Sequence, residues 1–122
     1  MTLVSLPEPN PNVLARRSEI VTELGQLVGF ESVISDDDGR RAYETDALTA
    51  YRRVPLAVVL PHSTEDVAKV LKYCHENNLK VVPRGAGTSL CGGALPSEDS
   101  VVVCVSKMNR FLEVDYANRF AR

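Results

Sequence analysis

No run of lysine or arginine in this 122-residue chain is longer than two, and 14 basic residues stand against 16 acidic ones for a net charge of -2. A nucleic-acid backbone, which is gripped by clustered cations, has no electrostatic foothold here. Long hydrophobic runs are also missing. The longest, Leu56 to Leu60 and Val101 to Val105, are five residues each, against the ~20 needed to cross a bilayer, so no transmembrane segment is expected. The opening residues, Met1-Thr2-Leu3-Val4-Ser5-Leu6-Pro7-Glu8, have neither the basic start nor the apolar stretch of a signal peptide. Cysteine is scarce: Cys74, Cys91 and Cys104 are an odd number with no CxxC pair, which argues against a disulfide framework or a zinc site and suits a reducing compartment. These absences together predict a soluble, cytoplasmic chain. His62 and His75 have no third ligand nearby, so both read as surface residues and no metal site is expected.

What is present suffices for one domain. With 44% apolar residues, a chain of this length buries roughly two thirds of the surface it exposes when unfolded. Residues 1–11 hold Pro7, Pro9 and Pro11 and read as a flexible arm. Asn12 then caps a helix to about Val28, with Ile20, Leu24, Leu27 and Val28 on one face and Gly29 as its stop. Asp36-Asp37-Asp38-Gly39 lacks the alternating ligands and final glutamate of an EF-hand and reads as a solvated turn. Leu56 to Leu60 reads as a buried strand. A helix starts at Ser63 or Thr64, places Val67, Val70, Leu71 and Cys74 on one face, and closes at Asn77-Asn78. Lys80 to Pro83 returns as a second strand parallel to the first. Val101 to Val105 and Phe111 to Asp115 supply a third and a fourth strand, joined by a short turn at Met108-Asn109-Arg110. Cys74 and Cys104 are expected in the core, Cys91 in a loop, and Tyr43 and Tyr51 half-buried. The acidic pairs Glu65-Asp66 and Glu98-Asp99 fit a helix start and a turn before a strand better than carboxylate catalysis.

The chemistry lies in Pro83-Arg84-Gly85-Ala86-Gly87-Thr88-Ser89-Leu90-Cys91-Gly92-Gly93-Ala94-Leu95-Pro96, where four of the seven glycines fall within nine positions directly after a strand. Glycine lacks a Cβ and reaches positive φ, so such backbone lets N–H groups converge on an anion. Arg84, Thr88 and Ser89 add a charge and two hydroxyls. Spacing rejects the common named loops. A GxGxxG fingerprint needs glycine where Leu90 stands, and a Walker A loop needs Lys followed by Ser or Thr where Gly93-Ala94 stands. A nucleophile elbow fails at Cys91, and no histidine follows His75 to complete a triad in the usual order. Departure from the carboxyl end of a strand is where ligands of open α/β sheets bind, and Pro61 lies at the equivalent end of the first strand.

The loop and its surroundings resemble the flavin oxidases typified by vanillyl-alcohol oxidase and p-cresol methylhydroxylase. The resemblance runs through Ala57-Val58-Val59-Leu60-Pro61, Ser63-Thr64-Glu65-Asp66-Val67, Val81 to Ser89, Gly92 to Pro96 and Lys107-Met108-Asn109-Arg110, in the family's order and spacing. Tyr43-Glu44-Thr45-Asp46-Ala47-Leu48-Thr49-Ala50-Tyr51-Arg52 is similar to the branch containing the flavin-carrying subunit of glycolate oxidase and D-lactate dehydrogenase. The likeness covers about residues 30–122.

The resemblance implies an α+β fold, the first half of a PCMH-type FAD-binding domain with a small parallel or mixed sheet and flanking helices. Residues 1–29 are then an N-terminal arm and helix, and 30–122 the incomplete N-terminal part of the domain. It implies FAD as cofactor and, for the intact protein, oxidation of a 2-hydroxy acid such as glycolate or D-lactate to the 2-oxo acid, with hydride passing from the α-carbon to flavin N5. Implied partners are that small-molecule substrate, an iron–sulfur subunit and a second flavin-type subunit. The implied cofactor-binding residues are the amides of Gly85, Ala86, Gly87, Thr88 and Ser89 on the pyrophosphate, the Thr88 and Ser89 hydroxyls as further donors, Gly92 and Gly93 for close approach, and Pro61 as a wall. Arg84 reads equally as a phosphate contact and as a structural or solvated charge. No catalytic residue is assigned within the chain. Two other readings stay open at this point: a stand-alone anion-binding or interaction module without catalysis, and a fragment with no independent role.

Overall fold

Asn10 opens the first helix. Its side-chain oxygen accepts the Asn12 N–H at 3.0 Å and Pro11 follows inside the first turn, where a missing N–H costs nothing. The computed structural model describes residues 5–122, so the first four residues of the expected arm lie outside the described residues. The inner end of that arm is anchored: the Asn10 N–H donates to Asp99 Oδ2 at 2.9 Å.

The single helix expected over 12–28 is two, α1 (Pro11–Ala15) and α2 (Arg17–Val28), and the cap is Asn10 rather than Asn12. Arg16 forms the link, where its Nη2 reaches both Glu19 Oε1 at 3.1 Å and Asn77 Oδ1 at 3.0 Å. A tertiary contact thus sits where local propensity alone carries a helix through. Gly29, at φ 93°, ends α2 as expected. The acidic stretch is a helix, not a turn. Asp36 Oδ2 accepts the Gly39 N–H at 2.7 Å and caps α3 (Asp37–Arg41), while two acidic residues occupy its first turn and two basic ones its last, each complementing the helix dipole.

Strand β1 (Val33–Ile34), which no hydrophobic run announces, pairs antiparallel with β2 (Ala57–Val59). Helix α4 (Thr64–Glu76) follows, its first turn closed by Ser63 Oγ accepting the Asp66 N–H at 3.1 Å. Strands β3 (Lys80–Arg84) and β4 (Ser100–Cys104) complete the sheet in the order β1-β2-β4-β3, with β4 parallel to both neighbours. Strand β4, the last of this sheet in sequence, therefore lies between the two that α4 connects. Strand β4 ends one residue earlier than expected, because Val105 begins a 3-10 turn.

The central strands β2 and β4 are buried on both faces, as strands inside parallel sheets are, while the edge strands β1 and β3 are half-buried or exposed. Ala57, Val59, Val101 and Val103 pack with Val13, Ile20 and Leu24 from the N-terminal helices and with Val70 and Cys74 from α4. Val58, Val102 and Cys104 form the other face, against Ile34, Tyr43, Leu60 and Val82. Of the stripe expected on α4, Val70 and Cys74 are buried and Val67 half-buried, but Leu71 is exposed. The fourth strand is only Val114–Asp115, β5, which pairs with β6 (Phe120–Ala121) in a separate hairpin, and Phe111 and Leu112 lie exposed. Cys74 and Cys104 are buried and Cys91 exposed; His62 and His75 are exposed and Tyr43 and Tyr51 half-buried. Among the described residues no helix is long and apolar enough to cross a membrane.

Candidate functional site

Strand β3 hands the chain to the glycine loop at Arg84, whose register partner on β4 is Cys104. Pro83 has no N–H to give to the ladder, and β3 is an edge strand, where the loss is tolerated. The Cys104 Sγ–H then donates to the Gly85 carbonyl at 3.5 Å, so the loop leaves the sheet with one peptide oxygen already engaged.

Two glycines in the loop require left-handed backbone: Gly87 at φ 73° and Gly92 at φ 76°. At Gly87 a second constraint applies, because a Cβ there would overlap the Arg84 guanidinium. Arg84 itself turns back under the loop. Its Nη1 donates to the Thr45 carbonyl at 2.7 Å, and its guanidinium carbon stands 5.3 Å from the centre of the Tyr43 ring. Burial pushes the Tyr43 phenol above its ordinary pKa, with Arg84 acting in the opposite direction. These contacts with the protein are structural ones.

The second half of the loop folds onto the first through Ser89. Its Oγ accepts from the Cys91 N–H at 3.3 Å and the Gly93 N–H at 3.2 Å. The Leu95 N–H donates to the Gly92 carbonyl at 3.1 Å, closing the turn at that positive-φ residue. Ser89 thus spends its acceptor capacity on the loop and keeps its hydroxyl proton to donate.

The consequence for an anion is direct. Among the described residues, none of the N–H groups of Gly85, Ala86, Gly87, Thr88 and Ser89 donates to another protein group. They border an open cleft of about 270 Å³ lined by Pro83, Gly85, Ala86, Gly87, Thr88, Ser89, Gly93 and Ala94. A Cβ at Gly85 would meet nothing within 4 Å, so glycine there is not required by the chain's own packing. Unpaired amides around a recess, with two hydroxyls beside them, form a nest for phosphate oxygens. The residues present fit a pyrophosphate group.

Of the residues singled out in the sequence, Gly85, Ala86, Gly87, Thr88, Ser89 and Gly93 are brought together in this cleft. Arg84 lies beneath it and Gly92 shapes the turn behind it. Pro61 is fully buried at the end of β2 and does not line it. Sequence reasoning gave no individual role to Thr45 and Asp46. Asp46 is buried, accepts the Leu48 N–H on Oδ1 at 2.9 Å and, on Oδ2, the Ala94 N–H from the far end of the glycine loop at 3.5 Å. No local pattern announces a contact between residues 48 positions apart. No group of three or more His, Cys, Asp or Glu residues is placed to hold a metal among the described residues.

A cleft of free amides beyond the carboxyl end of a sheet strand defines an anion-binding α+β domain. The chain belongs to the FAD binding domain family, whose sequence profile matches residues 55–122. FAD is the cofactor of that family. The chain is 37% identical over 100 residues to the glycolate oxidase subunit GlcD of Bacillus subtilis (strain 168), covering 82% of this chain and 21% of that one. It is 39% identical over 102 residues to the D-lactate dehydrogenase of Archaeoglobus fulgidus, covering 83% and 22%. It spans about a fifth of the length of these curated relatives. Among solved structures, the 4-ethylphenol oxidase of Gulosibacter chungangensis superposes with a TM-score of 0.76 at 24% identity, over 96% of this chain and 23% of that one. That likeness gives the fold, the PCMH-type arrangement expected from the resemblance.

Proposed function

We propose that this chain is the pyrophosphate-gripping part of an FAD-dependent oxidoreductase that converts a 2-hydroxy acid, such as glycolate or D-lactate, to the 2-oxo acid. The single observation carrying the binding role is the set of unpaired amides from Gly85 to Ser89 around an open cleft. The substrate class rests on the names of the similar proteins, a glycolate oxidase subunit and a D-lactate dehydrogenase.

In this reading residues 30–122 are the first part of the FAD-binding domain and 1–29 an N-terminal arm and helical segment, with α1 and α2 packed onto the sheet. Bound FAD supplies the two-electron oxidation. This chain's residues bind and orient: amides 85–89 and the Thr88 and Ser89 hydroxyls hold the diphosphate, Gly93 permits close approach, and Gly92 sets the turn. Arg84 acts through the loop. A second flavin-type subunit and an iron–sulfur subunit are proposed partners, and the cytoplasm is the proposed location, which suits the exposed free thiol of Cys91.

The grip should be weak in isolation. With four of the five amides engaged at once, roughly 1.5 to 3 kcal/mol each on a charged phosphate gives about 6 to 12 kcal/mol, against roughly 4 to 15 kcal/mol lost on association. Titrating FAD into the chain should move the backbone amide resonances of residues 85–89 at high micromolar to millimolar concentrations. Shifts confined to other residues, or submicromolar affinity, would contradict this account. For the reaction, the complete flavin-loaded gene product mixed anaerobically with glycolate or D-lactate should bleach. A flavin left oxidised by both removes the hydroxy-acid assignment.

A further inference from the structure

The glycine loop is held at both ends by one dipeptide distant in sequence. The Thr45 carbonyl accepts from Arg84 Nη1 at 2.7 Å at the loop's entrance, and the Asp46 carboxylate meets the Ala94 N–H at 3.5 Å near its exit. Asp46 is only 4% exposed and takes part in none of the ion pairs among the described residues. Its charge is met instead by backbone N–H groups, from Leu48 at 2.9 Å and Ala94. A carboxylate buried this way is costly to place and needs the donors it has.

We propose that Asp46 is a positioning residue for the cofactor cleft. By engaging Ala94 it draws the Gly92-Gly93-Ala94 arm against the first arm, while Thr45 fixes Arg84 beneath Gly87. The separation between the two arms, which sets the mouth of the cleft, is then decided by a segment that never touches the diphosphate. The inference rests on the binding role proposed above and adds to it a residue outside the loop.

The brace also has an electrostatic logic. Asp46 takes the Ala94 N–H out of the set facing the cleft, and the amides of Gly85 to Ser89 are left to the ligand. A carboxylate beside a phosphate site is tolerable only when it is turned away and hydrogen-bonded. Asp46 is buried, has two amide partners and is not among the residues lining the cleft.

The test compares the natural chain with Asp46→Ala and Asp46→Asn by amide hydrogen exchange and by FAD titration followed on backbone resonances. Asp46→Asn keeps the volume and one acceptor, and it carries the comparison should Asp46→Ala fail to fold. Both variants should speed exchange at Ala94 and weaken FAD binding by about fivefold or more, equivalent to ~1 kcal/mol, while protection in α2, α4, β2 and β4 is retained. Faster exchange at Ala94 with unchanged FAD affinity makes Asp46 a merely structural contact and overturns the proposal. Unchanged exchange at Ala94 overturns it as well. Failure of the natural chain to show any FAD-dependent shift at 85–89 removes the binding role itself, and the positioning role falls with it.

Discussion

The guanidinium of Arg84 lies directly under Gly87, in the space a Cβ there would need. Arg84 is anchored to the Thr45 carbonyl at 2.7 Å, so it is not free to withdraw. Gly87 also stands at φ 73°, a conformation that costs an ordinary residue roughly 1–2 kcal/mol.

Gly87→Ala should therefore reshape the loop, lowering stability by about 1–3 kcal/mol and abolishing the FAD-dependent shifts at 85–89. Gly85→Ala makes a sharp contrast, since a Cβ there meets nothing within 4 Å. Its melting temperature should match the natural chain's within the ~0.5 kcal/mol typical of surface changes, and any loss of FAD affinity then reports crowding of the ligand. Calorimetry on the two variants checks this, and equal destabilisation by both would contradict it.

Acid sensitivity should originate at Asp99. Although its burial works toward a higher pKa, Lys80 Nζ at 2.7 Å, the Asn10 N–H and the Ser97 hydroxyl hold its carboxyl down at about 2. A folded-state pKa below the unfolded value gives stability that is full above about pH 4 and is lost as pH falls toward 2. The contribution is about 1 kcal/mol, less than the pKa displacement alone would imply, because Lys80 is 52% exposed and water screens it. Lys80→Met should shift the acid unfolding midpoint upward. A midpoint unmoved in urea melts between pH 2 and 5 would assign acid unfolding to other groups.

The thiols should separate by accessibility. Cys91 is exposed while Cys74 and Cys104 are buried, and burial pushes the Cys74 thiol up to about 11. One thiol per native chain should react rapidly with Ellman's reagent, and three after unfolding. Because the unfolded thiol ionises more readily than the buried one, stability is undiminished below about pH 9 and declines as pH rises toward 11. Rapid labelling of two or three thiols in the native chain at pH 8 would contradict the placement.

Much of this architecture was legible because its signals are local. The apolar runs at 56–60 and 101–105 became β2 and β4, and Ser63 capped α4 where the N-cap pattern placed it. The glycine cluster marked the cleft, since an anion nest needs φ and space that few other residues allow. The acidic run at 36–38 misled because an Asp start suits a turn and a helix cap equally, and the decisive bond, Gly39 N–H to Asp36, is visible only once formed. Phe111 and Leu112 carry strand-forming side chains, yet the hairpin pairs Val114–Asp115 with Phe120–Ala121 and leaves them exposed.

By itself the sequence determined that a glycine-rich turn would leave the carboxyl end of a strand with its amides available, because backbone permissiveness is a property of residue type. Only the tertiary structure decided that β4 would lie between β2 and β3, that Arg84 would serve as a prop, and that Thr45 and Asp46 would brace both ends of the loop. The last two depend on contacts between residues 39 and 48 positions apart, and such contacts form only when burial of a shared core offsets the entropy of bringing distant segments together.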